Sequence, residues 1–135
     1  MTERETLAYL AGYIDGDGSI CAVKHHNSFG ISLVSISGDK SVLELLAETF
    51  GGKCLPTNQK SPNRKLYHWA VTGKEAVNAL ERLIPFLTAK LLPAIHATRF
   101  VFNPSGGIYR VPEWQVKVRE DAARKIRAFN HRVTN

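Results

Sequence analysis

The stretch Leu10-Ala11-Gly12-Tyr13-Ile14-Asp15-Gly16-Asp17-Gly18-Ser19-Ile20 decides the fold, because it joins an apolar helix to two carboxylates, a glycine exit and then a strand. Upstream, Thr2 and Glu5 stand three apart as a capping box, which predicts a helix from near Glu3 to about Asp15 or Gly16. On that helix Ala8, Gly12 and Gly16 fall four apart. Such a stripe of small residues lets a second helix approach with backbones almost in contact. Leu7, Leu10, Ala11 and Ile14 take the flank that faces the chain's own core. Asp15 and Asp17 sit at the helix end whose exposed carbonyls carry partial negative charge, so their placement calls for a cation. A calcium loop opening at Asp15 is excluded, because its sixth position is Ile20 rather than glycine and its twelfth is His26 rather than glutamate.

Working outward, Ser19 to His26 reads as a strand, Asn27-Ser28 as its turn, and Phe29 to Ile36 as the antiparallel return. The apolar alternation slips near Leu33 to Ser35, which predicts a bulge there. Ser37-Gly38-Asp39 opens a second helix bearing Val42, Leu43, Leu45, Leu46 and Phe50, and Gly51-Gly52 ends it. Lys53 to Thr57 is a third short strand, Asn58 to Lys65 a basic loop, and Leu66 to Thr72 the fourth strand, with Tyr67, Trp69 and Val71 on its core face. Thr72 and Glu75 form another capping box for a helix through Val77, Leu80 and Ile84, stopped at Pro85. Phe86 to Phe102 reads as helical, kinked or restarted at Pro93, and Asn103 to Gly107 as a loop. Pro112 opens a last helix whose apolar stripe is Trp114, Val118, Ala122, Ile126 and Phe129. Its basic residues are Lys117, Arg119, Arg124, Lys125, Arg127 and Arg132, either a solvated face or a contact to a polyanion. The helix-strand-strand unit recurs loosely over 3–36 and 39–72. All this fits one domain over 1–135, with a core at about 3–102 and the last helix at about 112–130.

In 135 residues, 18 lysines and arginines against 12 acids give a formal net charge of +6. That balance favours a polyanionic partner. No apolar run approaches the twenty or so residues of a membrane span, and charged residues behind Met1 do not suit a signal peptide. An intracellular, reducing setting is therefore expected, with Cys21 and Cys54 as free thiols. Cys21, His25, Cys54 and His68 have no spacing that suits zinc.

The nonapeptide Leu10 to Gly18 resembles the signature of the LAGLIDADG homing endonucleases, with Tyr13 in its fourth position and Gly16 in its seventh. The resemblance implies an α+β fold of order αββαββα with additional C-terminal helices, its four antiparallel strands forming a saddle for the DNA major groove. It implies a homodimer on double-stranded DNA, with no membrane and no small-molecule substrate. The dimer would be built on Ala8, Ala11, Gly12, Asp15 and Gly16, with Asp15 either at the helix interface or capping. By motif position Asp17 is the catalytic acid and metal ligand, and the Gly16 carbonyl adds an oxygen. The metal implied is Mg2+, with Mn2+ able to substitute and Ca2+ binding without efficient cleavage.

Pro85-Phe86-Leu87-Thr88-Ala89-Lys90 resembles the family segment that ends in an active-site lysine, which makes Lys90 the candidate for charge near the scissile phosphate. Where the family often carries a glutamine after the second strand, this chain offers Ser37 or Gly38. DNA contacts are expected from Lys24, His25, His26, Asn27, Ser28, Ser32, Lys53, Thr57, Asn58, Gln59, Lys60, Arg64, Lys65 and His68. A strand of about seven residues spans roughly 24 Å, or about seven base pairs, so one copy would read a half-site. The implied activity is site-specific double-strand hydrolysis of a near-palindrome with short 3′ overhangs, suited to intron or intein mobility. The alternative is a non-catalytic binder of the same fold, an intron RNA maturase or a DNA-binding regulator.

Overall fold

The computed structural model describes residues 1–25, 28–61, 64–100 and 112–134. The chain opens as the capping box requires: the Thr2 hydroxyl accepts from the Glu5 N–H at 3.1 Å and the Glu5 carboxylate from the Thr2 N–H at 3.0 Å. Helix α1 (Glu3–Asp17) leads into β1 (Gly18–His25), β2 (Ser28–Ser37) and α2 (Lys40–Phe50). Strands β3 (Cys54–Ser61) and β4 (Arg64–Thr72) follow, then α3 (Gly73–Leu83), a 3-10 turn at Ile84–Phe86, α4 (Leu91–Ala97) and α5 (Glu113–Thr134). The strands form one antiparallel sheet in the order β1-β2-β4-β3. One face, carrying Ile20, Ala22, Ile31, Leu33, Trp69 and Val71, is buried under the helices. The other is open.

Pairing runs without interruption from Gly18 opposite Ser35 to His25 opposite Ser28, and from Ser32 opposite Thr72 to Ser37 opposite Tyr67. The expected bulge in β2 is therefore absent. The slipped alternation is absorbed instead by burying Ser35, 1% exposed, and leaving Ile36 41% exposed on the open face. The register shift falls in β3, between Pro56 and Lys60. Asn58 to Ser61, read as a loop, continue β3 as an arm, Lys60 opposite Lys65 and Ser61 opposite Arg64. Backbone pairing suffices to hold such an arm, so it needs no apolar alternation.

At the core, the fully buried Trp69 donates its indole N–H to the Gly51 carbonyl at 2.8 Å. Gly52 (φ 80°) passes so close to β4 that a Cβ would lie 2.7 Å from the Ala70 carbonyl oxygen, so a glycine is required at the end of α2.

Three helical expectations change. Thr72 makes no side-chain cap on α3, because Gly73 enters with φ 59° and turns the chain sharply between strand and helix. Helix α4 starts only at Leu91, which places Pro93 in its first turn, where the missing N–H costs nothing and no kink arises. In α5, Ala122, Ala123 and Ile126 are buried, but so are Gln115 and Arg119, while Trp114 is 58% exposed. The packing face lies one residue round from the expected stripe in the first half. Two alanines bring α5 close to the sheet, and there Arg127 donates to the Ala22 carbonyl at 3.2 and 3.3 Å and Asn130 to the Ile20 carbonyl at 2.9 Å. These bonds cover the outer edge of β1, an edge strand that would otherwise be open to pairing.

Candidate functional site

The end of α1 is where the chain's conspicuous chemistry collects. Gly18 leaves the helix in an extended conformation (φ −90°), and a Cβ there would meet the Ile14 side chain at 2.7 Å. Only glycine lets β1 begin directly beneath the last helical turn. Asp17, the last helical residue, is thereby left exposed at the helix tip. Its carboxylate makes no hydrogen bond among the described residues.

Lys90 comes to the same tip from the start of α4. Its ammonium donates to the carbonyls of Ile14 at 2.9 Å and Asp15 at 2.8 Å. It thus caps the C-terminus of α1, where a cation is favoured. In return the Asp15 carboxylate accepts the backbone N–H groups of Thr88 at 2.8 Å and Lys90 at 2.9 Å. Burial pushes the Lys90 ammonium below the ordinary lysine range, while the charges of Asp15 and Asp17 pull it back up.

The oxygens left at the tip are the Asp17 carboxylate and the last helical carbonyls, including that of Gly16. They are hard donors of the kind magnesium takes, one charged ligand among neutral ones. Among the described residues no group of three or more His, Cys, Asp or Glu gathers to hold a metal ion.

Along the outer face of α1, Ala8, Gly12 and Gly16 are exposed, and a Cβ built on either glycine meets nothing within 4 Å. Ala11, expected at a dimer interface, is instead fully buried in the chain's own core, because it lies on the Leu7-Leu10-Ile14 flank. Both Asp15 carboxylate oxygens are engaged within the chain, by the turn Thr88 to Lys90.

Ser37 lies beyond the helix tip: its hydroxyl accepts the Asp39 N–H at 3.0 Å, in the turn into α2. Level with Gly18 across the β1-β2 pair is Ser35. Its buried Oγ has no partner among the described residues. Gly38 is half-buried in the same turn.

The open sheet face can be mapped row by row from the register. Leu55, His68 and Ile36 lie side by side; then Ala70, Val34 and Ser19; then Thr72, Ser32 and Cys21; then Gly30 and Val23. None of these residues is a lysine, arginine, aspartate or glutamate. Of the expected DNA contacts, Ser32 and His68 are on this face. Lys24 and Lys65 are not: strand alternation puts them on the helix side, Lys24 with Ile20 and Ala22, and Lys65 over the Tyr67 ring at 5.8 Å. Lys53 is exposed just before β3, and the Thr57 hydroxyl donates to the Leu66 carbonyl at 3.2 Å. His26 and Asn27 lie outside the described residues, as do the side chains of His25, Ser28, Asn58, Gln59, Lys60 and Arg64.

Sequence reasoning missed the mutual hold of Asp15 and Lys90, the burial of Ser35 and the role of Arg127. The first and last are contacts between distant segments, and the one advance signal was Ser35, a polar residue breaking an apolar alternation.

No family profile matches the chain, and no curated protein does. Solved structures do. The homing endonuclease I-CvuI in complex with its target in the presence of Ca matches with a TM-score of 0.63 at 21% identity, over 93% of this chain and 82% of that one. The homing endonuclease I-TnaI matches at 0.59 and 15% identity, over 94% and 97%. The I-SmaMI LAGLIDADG homing endonuclease bound to cleaved DNA matches at 0.53 and 18% identity, over 70% of this chain and 35% of that one.

Proposed function

We propose, from a fold that is that of the LAGLIDADG homing endonucleases, that this chain is a site-specific double-strand DNA endonuclease. It works as a homodimer on a long near-palindromic target, with a divalent metal, and leaves short 3′ overhangs.

One observation carries this reading: the exposed Ala8-Gly12-Gly16 stripe, with open space over both glycines, ends at the exposed Asp17. Each glycine in an exposed helix costs about 1 kcal/mol against alanine. Among the described residues nothing packs over either glycine to repay that cost, whereas a second copy of α1 at near-backbone contact would. A two-fold pairing of this stripe is self-complementary and makes the target a near-palindrome. It also brings the two Asp17 tips together, and paired carboxylates repel unless a cation lies with them.

Asp17 and the Gly16 carbonyl would hold Mg2+, with Mn2+ as a substitute and Ca2+ supporting binding more than cleavage. When bound, the ion supplies Lewis acidity for phosphodiester hydrolysis. The chain's own share is positional. Lys90 has three N–H donors, of which two are taken by the Ile14 and Asp15 carbonyls, so one is left over for a phosphate oxygen. Asp15 holds the backbone from which Lys90 projects. The open sheet face lies along the duplex, one half-site per copy.

The test is selection of cleaved sites from a randomised duplex pool with magnesium. Recovered near-palindromes cut on both strands support the proposal. Tight, sequence-specific binding without cutting would instead make the chain a non-catalytic binder of the same fold.

A further inference from the structure

Building on the proposed DNA binding, we infer that the open sheet face selects thymine through its 5-methyl group, with Val23, Ile36 and Leu55 as the specificity-determining side chains. The three are 42%, 41% and 52% exposed on a face where an antiparallel sheet in water ordinarily carries polar residues. Ile36 and Leu55 flank His68 across three adjacent strands. At about 4.8 Å per strand they stand roughly 10 Å apart.

The mapped rows hold no arginine or lysine, the side chains that read guanine by two hydrogen bonds, and no acid to accept from cytosine. What an aliphatic side chain can recognise in the major groove is the thymine methyl, the apolar group that the groove edge displays. The face is committed to DNA rather than to an apolar protein by charge: the chain carries +6 overall, which suits a polyanion. In this arrangement phosphates are gripped by lysines outside the mapped rows, such as Lys53 just before β3, and the aliphatic side chains of the open face carry the methyl contacts.

The experiment uses the full chain and sites selected from a randomised pool, rebuilt with deoxyuridine in place of single thymidines. Uracil keeps the Watson–Crick edge and lacks only the methyl. Loss of one buried methyl contact should weaken binding about fourfold, at two or more positions in each half-site. Leu55→Ala or Ile36→Ala should bring the thymine-to-uracil ratio to about one at its own position, while Lys53→Ala lowers affinity and keeps the ratio. Tight wild-type binding with a ratio of one everywhere overturns the methyl contacts and leaves the DNA reading standing. No binding to any duplex overturns that reading and the methyl contacts with it. A change of oligomeric state in Ile36→Ala or Leu55→Ala, with the ratio unmoved, overturns the inference in favour of a protein interface.

Discussion

Asp15 and Lys90 bind each other's backbone: the ammonium of Lys90 closes the C-terminus of α1, and the carboxylate of Asp15 accepts the N–H groups of Thr88 and Lys90 in the turn before α4. Two segments some 75 residues apart are thereby locked at the candidate site. Asp15→Asn keeps one acceptor but turns an amide NH2 toward the second N–H. Hydrogen bonds to a charged group contribute about 1.5–3 kcal/mol, and discounting for partial exposure leaves an expected loss of about 1–2 kcal/mol. Thermal melting should show it as a drop of several degrees; an unchanged melting temperature would mean that this link is not coupled to folding.

The same pair sets a pH dependence. Burial lowers the Lys90 ammonium from the ordinary lysine value, and the Asp15 and Asp17 charges oppose that lowering. The protonated form is the one that serves a phosphate, so cleavage should fail as pH rises through the lowered value. Removing the Asp15 charge removes part of what holds the value up. Single-turnover rates for Asp15→Asn should therefore show the alkaline limb moved to lower pH, and a limb moved upward would reject the charge coupling.

Asp17→Asn should leave melting unchanged, since the side chain is exposed and makes no hydrogen bond among the described residues. Specific DNA binding should persist, with magnesium-dependent nicking reduced at least about a hundredfold, as befits loss of a ligand to the catalytic ion. Near-normal nicking by this variant would remove Asp17 from the metal site.

Gly12→Leu separates folding from assembly. Because a Cβ at Gly12 meets nothing within 4 Å, the substitution leaves the chain's own packing intact, and leucine adds helix propensity worth several tenths of a kcal/mol. Light scattering should find monomers that melt no lower than the unaltered chain does at dilutions where it too is monomeric. A dimer that survives leucine at this position would mean that the stripe is not the contact.

The helix tip and the sheet were legible because both are written locally. A capping box, a small-residue stripe and a glycine exit lie within eighteen residues, and alternation in Tyr67, Trp69 and Val71 fixes the core face of β4. Polar strands were harder: Asn58 to Ser61 have no alternation to read, since their order comes from pairing with β4. Lys24 and Lys65 were misplaced for the same reason, since a shift of one residue in register moves a side chain to the other face. Ser35 shows the converse. A bulge would have kept the apolar pattern, but the continuous register with β1 and β4 outweighs one buried hydroxyl.

Basic residues on α5 give the last prediction, because charge alone does not separate a DNA contact from a structural one. The Arg127 guanidinium donates to the Ala22 carbonyl and lies over the Phe29 ring at 4.8 Å, while Arg124 and Lys125 both pair with Asp121. Arg127→Ala should thus uncover the β1 edge and cost about 1–2 kcal/mol. It should leave the slope of log affinity against log salt as it was, because no phosphate contact is lost. Lys53→Ala should do the reverse, reducing the slope by about one with no change in melting. If Arg127→Ala instead flattens the salt dependence, the last helix grips the duplex and the edge of β1 is held by something else.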